Sequence, residues 1–150
     1  MNKLVYISAI LLFSTLFSAC TNDSEDVSKP VINLIEPEDG HALKIGAAVH
    51  FEMELSDDTE LRSYKVDIHN NFDGHNHTKA VSETVDFTYS KSWDVSGLKN
   101  TLVHHHEIVI PENATPGNYH LMVYCTDKAG NETYVARKIV LIYDAVEHEE

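Results

Sequence analysis

Basic residues are scarce in this chain. Eleven Lys and Arg stand against 24 Asp and Glu, for a formal net charge of −13. A surface that acidic repels phosphate backbones, which excludes nucleic acid as a partner, and it draws cations. Cysteine is nearly absent as well, with Cys20 and Cys125 the two present. Glycine and proline number 6 and 4, too few for a low-complexity or collagen-like chain. Apolar residues make up 43%, enough to build a core and too many for a disordered tail. No amphipathic helix of useful length is visible, and no run reaches the roughly 20 apolar residues of a membrane-spanning helix. Catalytic signatures are missing too: there is no His-Glu-x-x-His, no nucleophile elbow and no phosphate loop.

The N-terminus carries a readable address. Lys3 is a short positive region, Leu4 to Phe17 is apolar over secretory length, and Ser18 and Ala19 are small residues before Cys20. The ending Phe17-Ser18-Ala19-Cys20 resembles the lipobox of bacterial lipoproteins, with Leu16 supplying the aliphatic residue one place early. The resemblance implies a signal peptide over 1–19 and a lipidated Cys20 that anchors the protein in a membrane through its acyl chains. Residues 20–29 follow as an acidic tether, and their Ser24-Glu25-Asp26 resembles the surface-export signal of Bacteroidetes lipoproteins. The expected location is the bacterial outer membrane, facing outward. With Cys20 lipidated, Cys125 has no partner for a disulfide. Its neighbours at period two, Tyr119, Leu121 and Val123, mark a buried strand face and an inert thiol.

From Pro30 onward, strand signals recur at short spacing. Val31 to Ile35 is a first strand. Ala47 to Leu55 alternates, with Val49, Phe51, Met53 and Leu55 inward. Leu61 to His69 turns Tyr64, Val66 and Ile68 inward and His69 outward. Residues 70–88 have no clear period, and a connection that long is usually functional. Ser90 to Val95, Leu102 to Ile110, Asn118 to Thr126 and Tyr134 to Tyr143 complete the set, with a turn at Asp127-Lys128-Ala129-Gly130-Asn131. The expected fold is all-β, an immunoglobulin-like sandwich of about seven strands over residues 30–143, ending in an acidic tail at 144–150. Tyr119, entering the penultimate strand beside Pro116-Gly117, resembles a tyrosine corner.

The chain holds ten histidines, and three of them fall in Ile68-His69-Asn70-Asn71-Phe72-Asp73-Gly74-His75-Asn76-His77. Neutral imidazoles with a carboxylate are the ligand set of zinc, copper, nickel or iron. His75 and His77, two apart on extended chain, point the same way. In an immunoglobulin-like sandwich the third strand runs antiparallel to the sixth, which brings the end of the third, His69, beside the start of the sixth, His120. A single site of His69, Asp73, His75, His77 and His120 is therefore expected. In His104-His105-His106-Glu107, strict alternation with Ile108 and Ile110 inward places His105 and Glu107 outside. It also puts two imidazoles on the core side, which requires a bulge, an open rim or a ligand. A second site with His50 on the neighbouring strand is the alternative.

The stretch 68–77, together with Ile108-Val109-Ile110-Pro111 and Pro116-Gly117-Asn118-Tyr119-His120, resembles a Bacteroidetes lipoprotein family known as domain of unknown function 4625. The likeness covers roughly residues 30 to 143. It implies an immunoglobulin-like fold and an envelope location, with histidines at the places of His69, His75, His77 and His120 and near His105. Glu107 stands close to where that pattern carries another histidine. The combined expectation is a non-catalytic, lipid-anchored module that binds a divalent transition metal, zinc first, through His69, Asp73, His75, His77, His105 and His120. Its role would be metal capture or hand-over to an outer-membrane transporter or a surface partner protein. A protein- or glycan-binding module is the alternative, and a metal-dependent hydrolase ranks last.

Overall fold

The computed structural model describes residues 25–71 and 84–143. Eight strands run in chain order: β1 (Val31–Glu36), β2 (His41–Lys44), β3 (Phe51–Ser56), β4 (Leu61–Asn70), β5 (Tyr89–Asp94), β6 (Asn100–His105), β7 (Gly117–Asp127) and β8 (Glu132–Ile142). They form two sheets, one ordered β1-β3-β6 and the other β2-β8-β7-β4-β5. Every neighbouring pair is antiparallel except β2, which lies parallel to β8. This is an immunoglobulin-like β-sandwich, and the β4–β7 pairing is the one expected from topology.

The extra strand is β2. Only Leu43 of its four residues is buried, so no alternation betrays it. The chain crosses from one sheet to the other between β1 and β2, through a turn in which Gly40 takes a φ of +83°. That left-handed conformation suits glycine because it has no Cβ to clash.

The core is the sum of the inward parities. Val49, Phe51, Met53 and Leu55 from one sheet meet Tyr64, Val66, Ile68, Tyr119, Leu121, Val123 and Cys125 from the other, all buried. Tyr119 is wholly buried, and its hydroxyl donates to the Thr115 carbonyl at 2.8 Å while accepting from the Phe87 backbone N–H at 3.2 Å. That is the geometry of a tyrosine corner, and it pins the 84–88 segment beside the start of β7. At the β7–β8 hairpin, Asp127 is fully buried and accepts from the backbone N–H groups of Gly130 and Asn131 at 2.6 and 2.7 Å. The Asn131 amide donates to its other oxygen at 2.7 Å. Burial raises the Asp127 pKa, but these hydrogen bonds outweigh it and hold the carboxyl below its usual range.

One expected strand is shorter than its sequence suggests. Leu102 to Ile110 splits into β6, which ends at His105, and a separate bridge between Val109 and Ala48. Phe51 faces His105 in the β3–β6 register, and the Val49 N–H donates to the Ile108 carbonyl at 2.8 Å. One residue, His50, thus opposes two, His106 and Glu107. This two-against-one count is a β-bulge, and it resets the inward parity from His105 to Ile108.

Candidate functional site

His69 and His120 are directly opposed across β4 and β7. Their rings stand edge to face, with centroids 5.7 Å apart and planes at 86°. Both side chains project from the outer face of the five-stranded sheet, since Ile68, Tyr119 and Leu121 on either side point into the core. Asp67, two residues before His69 on the same face, lies 3.1 Å from His69 Nδ1. Lys65 reaches the same carboxylate at 3.3 Å. Partial burial raises the Asp67 pKa, but hydrogen bonds from His69, Lys65 and Ser90 more than offset this and keep the group ionised. An ionised Asp67 accepts a hydrogen bond from Nδ1–H, an orientation that points Nε2 away from the carboxylate. Carboxylates orient metal-binding imidazoles in the same way.

Of the other residues expected at this corner, Asp73, His75 and His77 lie outside the described residues, as does Cys20. The chain heads towards the 72–83 segment from Asn71, whose backbone N–H still pairs with the Asn118 carbonyl at 2.9 Å.

His105 does not join the corner. It lies on the opposite sheet, stacked between Phe51 and Trp93 with both centroid distances at 5.0 Å. The expectation that His105 and Glu107 alternate outward together is corrected by the bulge, which leaves His105 on the inward parity of Val103. Burial lowers the His105 pKa and keeps the ring neutral. Its Nδ1 faces the Glu107 N–H at 3.4 Å, so Nε2 carries the proton, and that buried atom has no partner among the described residues. His105 is thus an aromatic packing residue that closes the sandwich edge. Glu107 binds Lys91 and accepts from Trp93 Nε1 at 3.2 Å, while the Lys91 ammonium sits 4.9 Å from the Trp93 ring centre. Both contacts fall on Oε2, and they hold the Glu107 carboxyl below its usual pKa.

The corner can offer an adjacent pair of nitrogen donors from two rigid strands. His104 and His106, left ambiguous by the sequence, take the outward parity with His50. Alternation alone could not reveal this, because the bulge that sets it is counted against the partner strand.

Sequence comparison matches residues 17–142 to the family described as "Domain of unknown function (DUF4625)". No curated protein matches the chain. Among solved structures, the fibronectin(III)-like modules of CbhA from Clostridium thermocellum are similar at 10% identity and a TM-score of 0.37. The alignment covers 77% of this chain and all of that one.

Proposed function

The chain belongs to the DUF4625 family, and from that premise we propose that it is a non-catalytic, immunoglobulin-like binding module that takes up a divalent transition metal at its His69–His120 corner. The proposal places it on the outer membrane of a bacterium, held by a lipidated Cys20 and the 20–29 tether, where it captures metal or hands it to a transporter. The observation that carries the reading is the direct opposition of His69 and His120, with the Asp67 carboxylate 3.1 Å from His69 Nδ1. Zinc is the first choice among zinc, copper, nickel and iron, because its tetrahedral site is readily built from imidazole and carboxylate.

Isothermal titration of the full chain with zinc, purified without a histidine tag, tests this. Binding that is lost in the His69→Ala/His120→Ala double variant is the expected result. Unchanged binding in that variant removes the corner from consideration.

A second reading has its own support on the same sheet face. Tyr124 and the exposed Tyr134 stand with ring centroids 5.9 Å apart, and Ser63, Lys65, Ser92, Thr126 and Glu132 surround Tyr124 in a shallow polar cleft. Such a surface suits a glycan or protein partner. A chelator leaves that binding intact and abolishes the metal-dependent kind, which separates the two.

A further inference from the structure

The three-stranded sheet carries a second group of imidazoles on its own outer face. His50 immediately precedes β3, while His104 and His106 lie at the end of β6. Glu52 faces His104 and Phe51 faces His105 in the ladder. With Phe51 and His105 turned inward, Glu52 and His104 turn outward, and His50 shares their parity. The bulge then sets His106 against His50. The ring centroids are 4.9 Å apart for His50–His104, 5.1 Å for His50–His106 and 5.5 Å for His104–His106. One ligating atom from each of the three lies within 4.8 Å of the others.

Geometry, bonding and charge each favour a cation here. Donors in a tetrahedral nitrogen site stand about 3.3 Å apart when the metal–nitrogen bonds are about 2.0–2.1 Å. Small rotations of three exposed rings close the remaining gap. Neither His104 nor His106 makes a side-chain hydrogen bond among the described residues, so ligation breaks no hydrogen bond of theirs. β1, β3 and β6 contain no lysine or arginine, whereas they contribute Glu36, Glu52 and Glu54. Glu52 Oε2 lies 3.6 Å from His50 Nε2, which places a negative charge beside the imidazoles.

We propose that His50, His104 and His106 form a second, independent site for a divalent transition metal of the zinc or copper(II) type. Three imidazole nitrogens bind the ion, and a fourth position opens to solvent beside Glu52. Calcium and magnesium are excluded as the bound ion by their preference for oxygen donors. The open position suits exchange, because an incoming ligand can reach the metal without displacing a protein group.

Zinc titration of the full, untagged chain, followed by cobalt(II) substitution read from its visible absorption, tests the assignment. The wild type is expected to bind one more equivalent than the His104→Ala/His106→Ala variant. His50→Ala is expected to weaken that equivalent at least tenfold, and His69→Ala/His120→Ala to leave it and its cobalt band in place. Near-ultraviolet circular dichroism from Trp93 checks that each variant keeps its fold. Metal lost only in His69→Ala/His120→Ala leaves the corner reading standing and overturns this one. Loss only in His104→Ala/His106→Ala does the reverse. A His50→Ala/His104→Ala/His106→Ala variant that keeps every equivalent at wild-type affinity refutes the second site outright.

Discussion

His69 of β4 and His120 of β7 are directly opposed residues whose rings meet edge to face at 5.7 Å, although a long stretch of chain separates them. Antiparallel pairing alone produces this contact. Everything proposed for the corner depends on the register that makes it, because slipping one strand by a single residue would turn its histidine into the core and leave the other outside.

Metal binding at exposed imidazoles must compete with protons. An imidazole binds metal only when neutral, and its ordinary pKa is about 6.5. Zinc affinity of the full chain is expected to fall at least tenfold between pH 7.5 and 5.5. Titrations at the two pH values measure it, and a flat profile points to carboxylates as the ligands.

His105 makes a separate prediction about stability. Its folded-state pKa lies below the ordinary value of 6.5 because burial disfavours the charged ring. The unfolded chain therefore takes up a proton first as the pH drops. His105 contributes no penalty above about pH 6.5 and costs stability as the pH falls from there towards its folded pKa, below which the loss is complete. His105→Phe keeps the stack on Phe51 and Trp93 and removes the orphaned Nε2. It is expected to stabilise the fold by about 1 kcal/mol and to flatten the loss of stability between pH 6.5 and 5. Urea melts across that range supply the test.

Asp127 acts at lower pH. Its folded pKa is depressed below 3.8, so its contribution is complete above that value and is lost as the pH falls through the folded pKa. In Asp127→Asn the retained oxygen still accepts from the Gly130 and Asn131 N–H groups, but the new NH2 would face the Asn131 side-chain NH2, and the charge that strengthens all three bonds is gone. The variant is expected to lose roughly 1–3 kcal/mol at pH 7 and to respond less to acid. Equal acid sensitivity in both proteins would show that other carboxylates dominate.

Tyr119→Phe removes a hydroxyl that donates to the Thr115 carbonyl and accepts from the Phe87 N–H. Leaving a buried N–H and C=O unsatisfied is expected to cost about 1–3 kcal/mol. Hydrogen exchange should quicken at Phe87 before it does at the β7 core, which a uniform loss of protection would contradict.

Cys125 is fully buried, and burial pushes its pKa up to about 11. Thiol reagents at pH 8 are expected to modify it only as fast as the protein unfolds. Labelling rates in increasing urea read this directly, and immediate labelling in native buffer would place the thiol at the surface.

The sequence by itself determined which residues face inward. Period-two alternation from Val49 to Leu55 and from Tyr119 to Cys125 needs no knowledge of a partner strand, because successive side chains on a strand point to opposite faces. Those parities, the turn residues between them and a Tyr beside Pro116-Gly117 were enough for an immunoglobulin-like sandwich. Topology then extended the reading to the contact of His69 with His120. β2 stayed hidden because a four-residue edge strand with one buried side chain leaves no period to detect. The roles of His104, His105 and His106 stayed hidden for a deeper reason. A bulge exists only relative to the strand it opposes, and His50 has to be in place opposite His106 and Glu107 before the extra residue can be counted. Tertiary structure therefore decided which imidazole packs between Phe51 and Trp93 and which two turn outward to meet His50.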